Sequence, residues 1–178
     1  MDNEILTELE TAKLYIKLLT LSQLKLWVND ILMLETEIDC KYDAEPIEGE
    51  FLNIINGQIK VIENDPANYT YHSFWFIIMK EDKTVAGSMD FKNIPNELKE
   101  IEIGYGLGKH YEHKGYMTEA VKAFCEMALM DQRIETIIAE TEMENIASHK
   151  VLERCGFKKY QEEETIWWKL NKLDIEIK

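Results

Sequence analysis

The residues best suited to chemistry fall in two segments, Glu102–Thr118 and Asn145–Phe157. In the first, Ile101, Ile103, Tyr105 and Leu107 alternate with Glu100, Glu102, Gly104 and Gly106. That period of two predicts a strand. Glycines inside a strand suggest a bulge or a close approach of something to the backbone. A loop, Gly108 to Lys114, leads into a predicted helix from about Gly115 to Met130, with Met117, Ala120, Val121, Phe124, Ala128 and Leu129 on its apolar face. The first N–H groups of a helix have no partner within it and stand at the positive end of its dipole. A diphosphate can take those donors. Gly115 at the entry admits a ligand to the backbone with no Cβ in the way, or is an ordinary loop glycine. In the second segment Asn145 lies between a strand and a helix, Ala147 to Cys155, which Gly156 closes as a left-handed cap. Asn145 reads as the N-cap of that helix, or as an amide that hydrogen-bonds a bound chain.

Other constellations carry less. His110, Glu112 and His113 are ligand types, but no third His or Cys has suitable spacing, so no metal is expected. His72 and His149 read as surface or satisfied histidines. Cys40, Cys125 and Cys155 are odd in number and widely spaced, with no disulfide framework or C-x-x-C pair. A dinucleotide-binding G-x-G-x-x-G with a ribose-binding acid is absent. The acidic residues Glu35, Glu37, Asp39, Asp43, Glu45 and Glu48 form a solvated loop or a rim that attracts a cation.

These segments need a frame to hold them. Leu14, Ile16 and Leu18 mark an opening strand. Leu24, Trp27, Val28 and Ile31 mark one helix over Leu21 to Leu34. Residues 35–50 read as a loop. Phe51 to Ile62 reads as a helix interrupted by Gly57 and ended by Asn64-Asp65-Pro66. Ser73 to Met79 and Thr84 to Phe91 form a predicted hairpin. Tyr69, Tyr71, Phe74, Trp75 and Phe76 read mostly as core, though some could line a pocket. Thr136 to Ala139 is another strand, and Phe157 to Tyr160 with Thr165 to Leu170 make a last pair, with one ring of Trp167-Trp168 inward. The order β-α-α-ββ-β-α-β-α-ββ is that of a single-domain α/β fold over residues 1–178, a mixed sheet with helices on its faces.

Composition sets the outer limits. The chain has 178 residues, 46% of them apolar, enough for one core. Lys plus Arg is 20 and Asp plus Glu is 34, so 20 − 34 gives −14. Phosphate-gripping surfaces need clustered cations, so neither nucleic acid nor an anionic membrane is an expected partner. The opening MDNEILTELE lacks the basic and apolar regions of an export leader. The longest apolar run, Phe74 to Met79, falls far short of the roughly 20 residues that span a bilayer. A cytoplasmic protein is expected.

Taken together, the two segments resemble the GNAT superfamily of acyl-CoA-dependent N-acetyltransferases. That family's phosphate loop, Arg/Gln-x-x-Gly-x-Gly/Ala, is matched by Glu112-His113-Lys114-Gly115-Tyr116-Met117, with Thr118 starting the helix body. Glu112 and Met117 depart from the pattern. The family's Asn-x-x-Ser and Gly-Phe are matched by Asn145, Ser148, Gly156 and Phe157. The wording is most similar to the branch of ribosomal-protein N-terminal acetyltransferases. The resemblance implies a mostly antiparallel twisted sheet, an acyl-CoA-binding core over 73–170, and an acceptor side over 9–65. It implies acetyl-CoA as co-substrate, with its pyrophosphate on His113, Lys114, Gly115, Tyr116, Met117 and Thr118. The pantetheine arm would lie against the backbone of Tyr105, Gly106 and Leu107 and the amide of Asn145. The acceptor would be a primary amine: a protein N-terminus, a lysine or a cationic small molecule. The oligomeric state stays open, a homodimer included. Since an amine with a pKa near ~10.4 must shed a proton, the resemblance makes Glu102 the candidate base, directly or through water. It sits on the strand beside the acyl chain and on the glycine face that is expected to open for the ligand. Where many relatives carry a tyrosine as thiolate acid, Leu152 stands here, so Ser148 becomes the candidate acid. A domain that binds acyl-CoA without turnover is the other reading.

Overall fold

In the computed structural model, residues 6–176 are described. The leader-free reading of the opening therefore lies partly outside them, at residues 1–5. The strands are β1 (Glu8–Glu10), β2 (Leu14–Leu18), β3 (Lys41–Tyr42), β4 (Phe74–Met79), β5 (Thr84–Phe91), β6 (Glu100–Leu107), β7 (Thr136–Glu142), β8 (Lys158–Glu162) and β9 (Thr165–Asn171). They lie in the order β1-β2-β4-β5-β6-β7-β9-β8, with β3 beside β5. Every pairing is antiparallel except β3 with β5 and β6 with β7. The helices are α1 (Leu21–Asn29), α2 (Ile31–Ile38), α3 (Gly49–Asn64), α4 (Tyr69–His72), α5 (Tyr116–Ala128), α6 (Ile146–Arg154) and α7 (Lys172–Glu176). The mixed, mostly antiparallel α/β sheet is the expected class. No helix among the described residues is long and apolar enough to cross a membrane.

Alternation along β4 splits the core in two. Phe74, Phe76 and Ile78 face one side and pack with Leu24 and Trp27 of α1, Leu34 of α2, and Ile55, Ile59 and Ile62 of α3. Trp75, Ile77 and Met79 face the other and pack with Met89, Phe91, Ile101, Ile103 and the Ala120, Val121 and Phe124 stripe of α5. A fully buried side chain of this size contributes about 1.5–3 kcal/mol, so both helical layers are held firmly against the sheet.

Three expectations about the first third are corrected. The single helix over 21–34 is two helices, parted at Asp30. Its backbone turns to φ −154°, ψ 82°, and its carboxylate caps α2 by accepting the Met33 N–H at 3.0 Å. A short acidic side chain competes with helix backbone in this way. Residues 35–50 are not all loop: α2 runs to Ile38, Asp39 ends it at φ 52°, and β3 follows. Gly57 does not interrupt α3. It is exposed, and the roughly 1 kcal/mol it costs is outweighed by Ile55, Ile59 and Ile62 beneath it. The short elements β1, β3, α4 and α7 were not expected at all.

A polar clamp ties α4 to the end of α5. The Tyr71 hydroxyl donates to the Asp131 carboxylate, and Arg133 donates to the same carboxylate at 2.9 Å while its guanidinium lies 5.2 Å from the Tyr71 ring centre. Burial pushes the Asp131 pKa up, but hydrogen bonds from Arg133 and Tyr71 and the Arg133 charge outweigh it, and the value falls to about 2. A depressed folded-state pKa adds stability above the unfolded value, near ~3.9, and that share is lost as pH falls toward 2. Asp131→Asn should therefore unfold at lower denaturant than wild type at pH 7. The gap should narrow between pH 4 and pH 2.5, and a gap of constant size would show that the charge of Asp131 is irrelevant.

Candidate active site

The parallel pairing of β6 with β7 covers only Glu100 with Thr136, Ile101 with Ile137 and Glu102 with Ile138. Beyond it β6 continues along β5 as far as Leu107, and β7 continues along β9 as far as Glu142. The two strands part and leave a V. Lys92 donates to the Glu102 carbonyl, and the Gly108 N–H donates to Ala86, so the even-numbered residues of this stretch turn their backbone groups to β5. Alternation then points the N–H and C=O of Tyr105 and Leu107 into the V. Gly106 is the correction here: it pairs with Ser88, so a bound arm would find Tyr105 and Leu107 but not the backbone groups of Gly106.

The start of α5 closes the top of the V. Gly115 takes φ 83° and contributes no side-chain cap, whereas Thr20, Asp30 and Asn145 cap α1, α2 and α6. The first helical bond runs from Glu119 N–H to the Gly115 carbonyl, which leaves the N–H groups of Tyr116, Met117 and Thr118 pointing out. His113 also sits left-handed, at φ 61°. A non-glycine residue there costs about 1–3 kcal/mol, strain that clusters at ligand clamps.

A groove of about 460 Å³ runs between this helix start, the strand edge and α6. His113, Gly115, Tyr116, Met117, Thr118, Asn145 and Ser148 line it with Tyr105, Gly106 and Leu107, while Lys114 and Glu102 do not. The Met117 side chain turns into the core. Asn145 does cap its helix, since its Oδ1 accepts the Ser148 N–H at 3.1 Å, which leaves its amide N–H groups to the groove. Two hydroxyls in the walls, those of Tyr105 and Thr118, are buried and have no hydrogen-bond partner. Burial raises the Tyr105 pKa far above that of a free phenol, and the nearby Ser148 hydroxyl pulls it back only in part. Leu152 is wholly buried in the core. A larger cavity of about 680 Å³, by Thr136 and Lys172, is lined by none of the side chains left buried without a partner.

Sequence reasoning missed three charged members of the groove. Lys150 and Arg154, at one-turn spacing on α6, lie along the wall opposite the strand. Their i, i+4 spacing after the Asn145 cap was the available signal. Glu45 enters from the other side; by sequence it is only one of six acids in a solvated loop or cation-attracting rim.

The glycine face of β6 is also corrected. It was expected to open for a ligand, but the chain's own groups stand against Gly104, Gly106 and Gly108, and of the three Gly106 alone lines the groove. A Cβ on Gly104 would stand 2.5 Å from Lys92 Nζ and 2.7 Å from Asp90 Oδ1, one on Gly106 2.6 Å from Glu45 Oε2, and one on Gly108 2.7 Å from the Asp43 carbonyl. Glu102 shares this face, at the last rung before the V opens. It is half-buried, and burial raises its pKa, with Asp90 and Glu140 adding to the rise and Lys92 opposing it. Asp90 beside it is buried, 3.2 Å from Lys92. Elsewhere His72 pairs with Asp65 at 2.9 Å, and His149 reaches the Glu142 carbonyl at 3.0 Å. Among the described residues no three His, Cys, Asp or Glu side chains gather as metal ligands.

A family model for the acetyltransferase (GNAT) domain matches residues 35–158. The chain belongs to the GNAT acetyltransferase family. It is an acyl-CoA-dependent acetyltransferase in kind. It is 30% identical to the N-acetyltransferase p20 of Bacillus licheniformis over 154 residues, 82% of each chain. It is 35% identical to the N-acetyltransferase YjdG of Bacillus subtilis over 83 residues, 47% of this chain and about half the length of that relative. Among solved structures it is similar in fold to RimL, the ribosomal L7/L12 α-N-protein acetyltransferase in complex with coenzyme A. The TM-score is 0.64 at 16% identity, over 90% of this acetyltransferase and 95% of that chain.

Proposed function

We propose that this acetyltransferase moves an acetyl group from acetyl-CoA to a primary amine by direct attack. The observation that carries the reading is the pair of buried, partnerless hydroxyls beside an unpaired strand edge. A polar chain laid along the V would pair with the strand edge directly and lie next to the two hydroxyls, which reach it once their side chains turn outward. In that pose the pyrophosphate meets the N–H groups of Tyr116, Met117 and Thr118, with Lys150 and Arg154 nearby. The pantetheine arm takes the Tyr105 and Leu107 backbone groups and the Asn145 amide. The acceptor comes from the face that carries α1–α3 and Glu102. Glu102, through water, takes one proton from the amine. The amine nitrogen bonds to the acetyl carbon as the C–S bond breaks, Ser148 supplies a proton to the departing thiolate, and the second proton leaving the nitrogen restores Ser148. A protein N-terminus is the favoured acceptor, in keeping with the name of the RimL neighbour.

The experiment is Tyr105→Phe, which keeps the ring and removes only the hydroxyl. A buried polar group without a partner costs stability. The apo variant should therefore melt at or above the wild-type temperature, while coenzyme A binds about three- to tenfold more weakly, the worth of one neutral hydrogen bond. Unchanged affinity in calorimetry would remove the hydroxyl from the site. The buried Leu152, standing where many relatives have an acid, favours one second reading, a domain that binds acyl-CoA without turnover. Release of free thiol in the presence of a panel of amines excludes it.

A further inference from the structure

The acidic residues of 35–48 do not act as one body. Glu35 accepts the Tyr42 N–H at 2.8 Å, Asp39 pairs with Lys83, and Asp43 accepts the Tyr111 hydroxyl at 2.8 Å. Glu45 differs from these. Among the described residues it forms no ion pair; burial raises its pKa, and the carboxylate of Glu112 raises it further. Its Oε2 lies 2.6 Å from where a Cβ of Gly106 would stand, and the side chain lines the groove beside the partnerless Tyr105 hydroxyl.

This placement is built. β3 docks against Thr84 and Val85 of β5, and the Asp43 N–H donates to the Val85 carbonyl at 3.1 Å. The Tyr42 hydroxyl donates to the Glu45 carbonyl at 2.6 Å. Gly108 has no side chain, and that is what admits Asp43 and Ala44 against the end of β6. A strap anchored at four points thus carries an unneutralised carboxylate over the strand edge. Burial and Glu112 both disfavour its charge, and a cation would reverse both effects.

We propose that Glu45 receives the acceptor's charged amine. The class it selects is a primary ammonium with no carboxylate on the same carbon, as in a peptide N-terminus, and not a free amino acid. Glu112 repels the carboxylate of the latter and helps hold the ammonium. This inference rests on the groove being the acetyl-CoA site, and the test separates the two.

The probes are alaninamide and alanine, titrated into the protein saturated with coenzyme A. Wild type should bind alaninamide at least tenfold more tightly than alanine. Glu45→Gln should bind alaninamide about tenfold more weakly, the scale of one charge-assisted hydrogen bond, and should lose most of the preference over alanine. Its affinity for coenzyme A should not fall, because a carboxylate lost from the groove removes a repulsion from the anionic cofactor. The difference between wild type and variant should shrink at 1 M salt, where the Debye length is about 3 Å. Glu45→Ala should behave like Glu45→Gln if the charge is what matters. Wild type that fails to take up alaninamide, or variants that bind it equally well, would overturn the role of Glu45 while leaving the groove intact. Failure of wild type to bind coenzyme A would take down both readings.

Discussion

Gly115→Asn should keep the fold and lose at least tenfold in coenzyme A affinity. Gly115 sits at φ 83° with nothing within 4 Å of where a Cβ would stand. The protein itself therefore does not object to a side chain there. Asparagine tolerates the left-handed region better than most residues, so its melting temperature should stay near that of wild type. What the new side chain meets is whatever approaches the exposed N–H groups of Tyr116, Met117 and Thr118. Gly115→Val makes the contrast, because a β-branched residue is a genuine outlier at positive φ and should lose stability as well as affinity. Calorimetry on both variants, with melting curves, reads the two effects separately. Wild-type affinity in Gly115→Asn would move the diphosphate away from this helix start.

Glu102→Gln should lower turnover at neutral pH by about 10²–10⁴, the usual contribution of a general base. Burial holds the Glu102 pKa above the ordinary carboxylate value. In wild type the rate should fall as pH drops through that raised value. In the variant this limb disappears, and the rate should climb about tenfold per pH unit, following the neutral fraction of the amine. Stability gives a control with the opposite sign. A raised carboxylate pKa means that the ionised side chain opposes folding at neutral pH, a penalty that fades as pH falls through the folded-state value. Glu102→Gln should thus be no less stable than wild type at pH 7. Turnover equal to wild type across pH 6–9 would show that the amine loses its proton elsewhere.

Much of this site was legible because it is local. Strand, loop, Gly115 and helix follow one another in the chain, and so do Asn145, its helix and Gly156. Period-two and helical patterns, with cap residues, place them without any long-range knowledge. What was not legible depends on chain segments far apart in sequence. The glycines of β6 announce a close approach, but the sequence does not say of what. The structure answers with Lys92, Asp90, Glu45 and the Asp43 backbone. Glu45 was grouped with five other acids because all six look alike in one dimension, and only the docking of β3 on β5 sets it apart. The break at Asp30 was missed because Leu24, Trp27 and Ile31 keep helical spacing straight through it.

The narrow seam between β6 and β7 has a mechanical meaning. Three residue pairs join one ladder, built wholly from residues before Gly108, to another built wholly from residues after it. Beside that seam, the apolar layer under α5 and α6, the Tyr71–Asp131–Arg133 clamp and the bonds from Thr11 and Lys13 to Glu119 hold the halves together. Force applied across the sheet would open it there first, and amide protons at the three rungs would exchange with solvent ahead of those in β4. A substrate arm bonded along the parted edge works as a staple, so the loaded molecule is a stiffer body than the empty one.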